Sequence, residues 1–143
     1  MYKLSAANQL SGTVLAVREG AVNGVVTIET PDGLVKADIT MESIRELSLR
    51  EGVRATAVIS ATDLVLDAEG DSGMLFSAGN AFEGVVRQVV PGAVNAHVHV
   101  TLASGQELLA DLECACLDEM GLSAGVPVTV RVGSNDVLVS SET

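Results

Sequence analysis

Two short segments recur in this chain, each with polar tips set among small residues. Ser5-Ala6-Ala7-Asn8 returns as Ser77-Ala78-Gly79-Asn80, and Gly20-Ala21-Val22-Asn23 returns as Gly92-Ala93-Val94-Asn95. Gly, Ala and Ser leave main-chain N–H groups accessible, while Ser and Asn add hydroxyl and amide donors. Aligned donors of this kind can hold a small anion without any full positive charge. The same residues also suit plain turns, with Gly supplying positive φ and Asn tolerating the left-handed region. Residue types alone leave both readings open. His97 and His99 alternate along an apolar run and so share one face of a strand, an arrangement that can ligate a metal. The repeat aligns them with Val25 and Thr27, so they are no part of the shared unit, and ordinary surface or interface hydrogen bonding is the expectation. Cys114 and Cys116 stand two apart in an expected helix, where they point to different faces. They are expected to pack as small residues, not to pair or bind metal. No nucleophile and base are paired, so neither an enzyme nor a catalytic cofactor is expected.

The elements that must position these segments are themselves repeated. With an offset of 72, Gly12 meets Gly84, Val14 meets Val86 and Val17 meets Val89; with an offset of 73, Ala37-Asp38 meets Ala110-Asp111, Gly52 meets Gly125 and Asp63 meets Asp136. Repeats of this kind define the architecture before any local reading does. Residues 1–66 and 75–139 are read as the two units, and the acidic, Gly-rich 67–74 as a linker. Thr13–Arg18, Val25–Thr30, Leu34–Ile39, Ala55–Ser60 and Leu64–Leu66 are short and rich in Val, Ile, Leu and Thr, which predicts strands. Pro31-Asp32-Gly33 and Ala103-Ser104-Gly105 are turns. Thr40 is placed to cap a helix over Met41–Leu47, with Ile44 and Leu47 at apolar spacing, and Cys114–Met120 is its counterpart. The fold class is therefore all-β: two tandem OB-like five-stranded β-barrels, each with one short helix.

Composition excludes several partners. The net charge is −11, from 8 basic and 19 acidic residues, and the aromatic residues are only Tyr2, Phe76 and Phe82. Nucleic acid is disfavoured, because its affinity comes mainly from neutralised phosphates and stacked bases. The chain is 48% hydrophobic, yet no apolar run approaches the roughly 20 residues of a membrane span. No signal-peptide core opens the sequence, and no disulfide framework is present, so a cytoplasmic location is expected. Units of about 65 residues sit near the lower limit for a self-sufficient core, which points to packing between subunits.

The motifs in order, Ser5-Ala6-Ala7-Asn8-Gln9, Gly12-Thr13-Val14, Glu19-Gly20-Ala21-Val22-Asn23, Leu47-Ser48-Leu49-Arg50-Glu51-Gly52 and Val58-Ile59-Ser60-Ala61-Thr62-Asp63-Leu64-Val65-Leu66, resemble the Mop (molbindin) domain. The second copy repeats the pattern, so the resemblance covers almost the whole chain. It implies OB-like barrels, assembly of di-domain chains into homotrimers, and molybdate or tungstate bound at sites between domains. Carried onto this sequence, the implied oxyanion-binding positions are Ser5, Ala7, Asn8, Val22, Asn23, Ser60, Ala61 and Thr62. Their second-copy counterparts are Ser77, Gly79, Asn80, Val94, Asn95, Gly133, Ser134 and Asn135. The family usually has Arg where Ala7 and Gly79 stand, and Lys-Ala-Ser where Ser60-Ala61-Thr62 and Gly133-Ser134-Asn135 stand. A hydrogen bond to a charged group contributes about 1.5–3 kcal/mol, so loss of a cation per site is expected to weaken binding by about tenfold or more, with converging neutral donors left to hold the dianion. The expected function is cytoplasmic molybdate or tungstate binding, storage or homeostasis. The alternative is an oligomeric structural or regulatory protein that kept the scaffold and lost the anion.

Overall fold

The computed structural model describes residues 5–68 and 79–141. The first copy runs β1 (Asn8–Arg18), β2 (Asn23–Thr30), β3 (Gly33–Thr40), α1 (Met41–Glu46), β4 (Arg54–Ile59), a 3-10 turn over Ala61–Asp63, and β5 (Val65–Asp67). The second runs β6 (Asn80–Pro91), β7 (Asn95–Leu102), β8 (Glu107–Glu113), α2 (Cys114–Met120), β9 (Pro127–Val132), a 3-10 turn over Ser134–Asp136, and β10 (Leu138–Ser141). The order matches the expected one, with β1 longer at its start than predicted. Its first residues, Asn8–Gly12, have Leu10 as their single large apolar side chain and pair with β4 instead of β2, so they carry no two-sided apolar signal. Thr40 caps α1 as expected, its Oγ1 accepting from the Ser43 N–H at 3.1 Å. Both cysteines of α2 are free.

Each unit is a sheet curled around an apolar interior. Alternation sends Val26 and Ile28 of β2, and Val98, Val100 and Leu102 of β7, inward. The curl is made at one repeated place. Register against the next strand slips between Val14 and Ala16 in β1 and between Val86 and Gln88 in β6, and such bulges bend a strand. The residue just before the slip then closes the barrel: Val14 donates to the Val53 carbonyl at 2.8 Å and accepts from the Gly52 N–H at 2.9 Å. Val86 does the same with Val126 at 2.9 Å and Gly125 at 2.8 Å. Gly52 and Gly125 sit at φ +92° and +95°, where a side chain would be strained.

The fifth strands do not follow the order of the repeats. The two sheets are ordered β10-β4-β1-β2-β3 and β5-β9-β6-β7-β8. Thus Val65–Asp67 of the first copy pairs with β9, Leu66 facing Val130, and Leu138–Ser141 of the second pairs with β4, Leu138 facing Val58. Arg131 meets Asp67 across the exchanged pair at 3.3 Å. The sequence boundaries 1–66 and 75–139 therefore cut through sheets that the chain builds jointly. Two near-identical edges are on offer to each fifth strand, and nothing local to the strand says which one it joins. Residues 69–74 of the expected linker lie outside the described residues; Asp67 ends β5. Leu66 and Val137 enter one apolar cluster shared by both units.

Candidate functional site

Antiparallel pairing brings the first motif to the 3-10 turn in each copy. Asn8 lies opposite Ile59, which sets Ala7 beside Ser60-Ala61-Thr62. Asn80 lies opposite Val132, which sets Gly79 beside Gly133-Ser134-Asn135. The approach is close: a Cβ on Gly79 would stand 3.1 Å from the Cβ of Ser134. Ser5, Ser60, Thr62, Gly79 and Asn135 are exposed, and Ala7, Ala61, Gly133 and Ser134 are half-buried. Ser77 lies outside the described residues. The 3-10 turns in addition pack on the edge strand of the other copy, Ala61–Asp63 on β8 and Ser134–Asp136 on β3. Each cluster is thus built from both halves of the chain.

The asparagines of this motif do something the sequence did not reveal. Asn8 and Asn80 are 1% and 3% exposed. The Asn8 amide donates to the Leu109 carbonyl at 2.9 Å and accepts from the Leu109 N–H at 2.7 Å. The Asn80 amide grips Lys36 in the same way, at 2.9 and 2.6 Å. Each amide acts as a one-residue extension of the sheet, covering the open edge of β8 or β3. Both were expected as ligand donors. In this geometry their oxygens and one amide hydrogen each are already engaged, so the donors that remain are the second amide hydrogens, the hydroxyls and the nearby main-chain N–H groups. Sequence reading missed Lys36 and Leu109, since no local signal links a strand residue to a motif in the other copy.

The second motif forms an exposed turn away from these clusters. Val22 and Val94 are 75% and 72% exposed. Gly20 and Gly92 are required by close approach, because a Cβ on either would overlap the carbonyl oxygen of Asn23 or Asn95. Among the described residues, the N–H groups of Ala21, Val22, Ala93 and Val94 meet no protein acceptor. The side chains of Asn23 and Asn95 are oriented by carboxylates, donating to Asp38 at 3.0 Å and to Asp111 at 2.8 Å. Asn23 faces Thr40 at the end of the β2–β3 ladder and Asn95 faces Glu113 at the end of β7–β8. Four residues of strand therefore separate Leu109 from Glu113, and Lys36 from Thr40, about 13 Å in each case. Within one chain the two motifs do not converge on a single small ion.

His97 and His99 do share a face, and each meets a carboxylate of β8: His97 approaches Asp111 at 3.6 Å and His99 approaches Glu107 at 2.9 Å. Glu107 also receives Arg87 at 2.6 Å. Among the described residues no group of three or more His, Cys, Asp or Glu side chains is placed to hold a metal, and no helix is long and apolar enough to cross a membrane.

Comparison with known proteins agrees with this architecture. The TOBE domain model matches residues 4–66 and again 77–139. Over 139 residues the chain is 33% identical to the molybdenum transport protein ModE of Herbaspirillum seropedicae, covering 96% of this chain and 51% of that protein. The chain thus spans about half the length of that relative. A single copy suffices for another relative: 64 residues are 42% identical to molybdenum-pterin-binding protein 3 of Clostridium pasteurianum, covering 44% of this chain and 94% of that one. The solved structure of the cytoplasmic molybdate-binding protein ModG with molybdate bound superposes with a TM-score of 0.95 at 34% identity, over 99% of this chain and 100% of that one. The resemblance read from short motifs extends in this way to the whole length, and the chain belongs to the TOBE domain family, as a Mop-like protein with two tandem copies of the domain.

Proposed function

We propose that this protein binds molybdate, with tungstate as a close substitute, as a cytoplasmic oxyanion buffer without catalytic activity. The observation that carries the reading is the end-to-end likeness to a molybdate-bound binding protein, joined to unpartnered N–H groups at both repeated turns. The two motifs lie too far apart in one chain to share an ion. Sites that use both are therefore assembled between chains, which is the homotrimer that the Mop resemblance implies. Ser5, Ser60 and Thr62, with Ser134, Asn135 and the N–H groups beside Ala7 and Gly79, supply one wall. The Val22–Asn23 and Val94–Asn95 turns of a neighbouring chain supply the other. Such donors select by size and hydrogen-bond geometry, and they discriminate against protonated phosphate, whose hydrogen finds no acceptor among donors.

Titration calorimetry with molybdate, against sulfate as competitor, tests this directly. Saturable molybdate binding that sulfate does not match is expected; equal heats for both ions overturn a dedicated site. A scaffold that has lost its anion is the second reading. It is favoured by the engagement of Asn8 and Asn80 in backbone bonds, and absence of molybdate binding would establish it.

A further inference from the structure

We infer that Lys36 is the cation of the second-copy oxyanion cluster, supplied to it by the first copy. The inference rests on the proposed function and goes beyond it by making the two kinds of cluster unequal. The chain carries −11 net charge and only two lysines, Lys3 and Lys36. Lys36 is held where it matters: both its N–H and its carbonyl are gripped by the Asn80 amide, and Asn80 is covalently next to Gly79, which abuts Ser134. The strand that carries Lys36 packs against the Ser134–Asp136 turn. Its neighbours Val35 and Ala37 are buried while Lys36 is exposed, so its stem leaves the outer face of β3. A lysine ammonium ranges about 6 Å from its Cα on a flexible four-carbon stem. The Asn80 clasp and the packing of β3 on the Ser134–Asp136 turn set the base of that stem beside the Gly79–Ser134 surface. Among the described residues the ammonium enters no ion pair, so its charge is not neutralised by a neighbouring carboxylate.

The pseudo-symmetric position makes the contrast. Asn8 grips Leu109 as Asn80 grips Lys36, and Leu109 brings no charge. The first-copy cluster, Ala7 with Ser60-Ala61-Thr62, therefore holds an anion with neutral donors alone. The second adds one full charge, and a dianion bound there is attracted at a range and with a salt sensitivity that neutral donors do not confer. Two classes of site follow from one substitution between repeats.

The test is titration of the full-length protein with sodium molybdate at low and high chloride. Wild type is expected to show two classes, the tighter one weakening with salt. Lys36→Met keeps the stem and the backbone grip; it should weaken the tighter class by about tenfold, close to 1.4 kcal/mol, and flatten its salt dependence. Lys36→Arg should retain both properties, and Leu109→Lys should confer salt-sensitive tightening on the other class. As a readout free of any folding effect, molybdate should protect Lys36 of the wild-type protein from acylation, measured by mass spectrometry. Molybdate binding that is unchanged in affinity and salt dependence in Lys36→Met, or acylation of Lys36 unaffected by saturating molybdate, overturns the assignment while leaving the proposed function standing. No molybdate binding by the wild type overturns both.

Discussion

The side-chain amide of Asn80 holds both backbone polar groups of Lys36, accepting from its N–H at 2.6 Å and donating to its carbonyl at 2.9 Å. Asn8 repeats the arrangement on Leu109. These two clasps join the halves of the chain at points where an edge strand would otherwise be open, and they act together with the exchanged strands β5 and β10. The start of each copy is thereby fastened to the other copy's sheet.

Replacing Asn80 by Leu should destabilise the protein by about 2–4 kcal/mol, since two hydrogen bonds are lost and a backbone donor and acceptor are left buried without partners. Asn8→Leu should cost a similar amount. Urea unfolding monitored by circular dichroism measures both, and a loss below half a kcal/mol would mean that water replaces the amide freely. Asn80→Asp is a sharper variant: it can accept from the Lys36 N–H but presents no donor to the carbonyl, so it too should destabilise.

Separation of the copies is a second test. A fragment ending after β5 has a fifth strand whose partner, β9, is absent, and a β4 edge without β10. Such a fragment should fold only by exchanging β5 with a second fragment, as a dimer or a larger species. Light scattering that found a stably folded monomer of residues 1–68 would show that the exchange is dispensable.

Glu107 should titrate below the ordinary carboxylate value. The Arg87 guanidinium that bonds it is the main cause, partial desolvation opposes the shift, and His99 adds to the lowering. A depressed folded-state pKa contributes stability above the unfolded value, near 4.3, and that contribution is lost as pH falls through the folded value. The pair is exposed, so the stability effect is small, while the titration itself is measurable. Carboxyl NMR should show the Glu107 midpoint rising in Arg87→Gln; an unmoved midpoint would assign the lowering to another group. The first copy has Leu15 and Leu34 at the corresponding positions and no such titration.

The carboxylates behind the exposed turns offer a test of those turns as anion contacts. Asp38 and Asp111 orient Asn23 and Asn95, but their charge opposes a nearby dianion. The double variant Asp38→Asn/Asp111→Asn should tighten molybdate binding several-fold, most at low salt. In contrast, Asn23→Leu/Asn95→Leu should abolish binding at sites that use the turns, with circular dichroism confirming the fold. Unchanged molybdate affinity in both double variants would make the Gly-Ala-Val-Asn segments turns and nothing more.

The duplication, most strand positions, both helices and the poverty of cations around the motifs were all legible in the sequence. The strands and helices depend on residue types within a few positions of one another, such as the Val, Ile and Thr of β2 and Thr40 just before Met41 at the start of α1, and the duplication shows as like residues at a fixed offset. The sequence also placed Ser-Ala-x-Asn and Gly-Ala-Val-Asn as the polar features common to both copies. Tertiary structure alone decided how they are used. It sent β5 to β9 and β10 to β4, a choice between two similar edges that no local residue can express. It turned Asn8 and Asn80 inward onto Leu109 and Lys36, 101 and 44 residues distant respectively, and so committed the oxygen and one hydrogen of each amide to the other copy's backbone. The same clasp carried a lysine of the first copy to the motif of the second. Pairing between distant segments is governed by which open backbone edges meet when the chain curls, and that information resides in the assembled sheets, not in any window of the sequence.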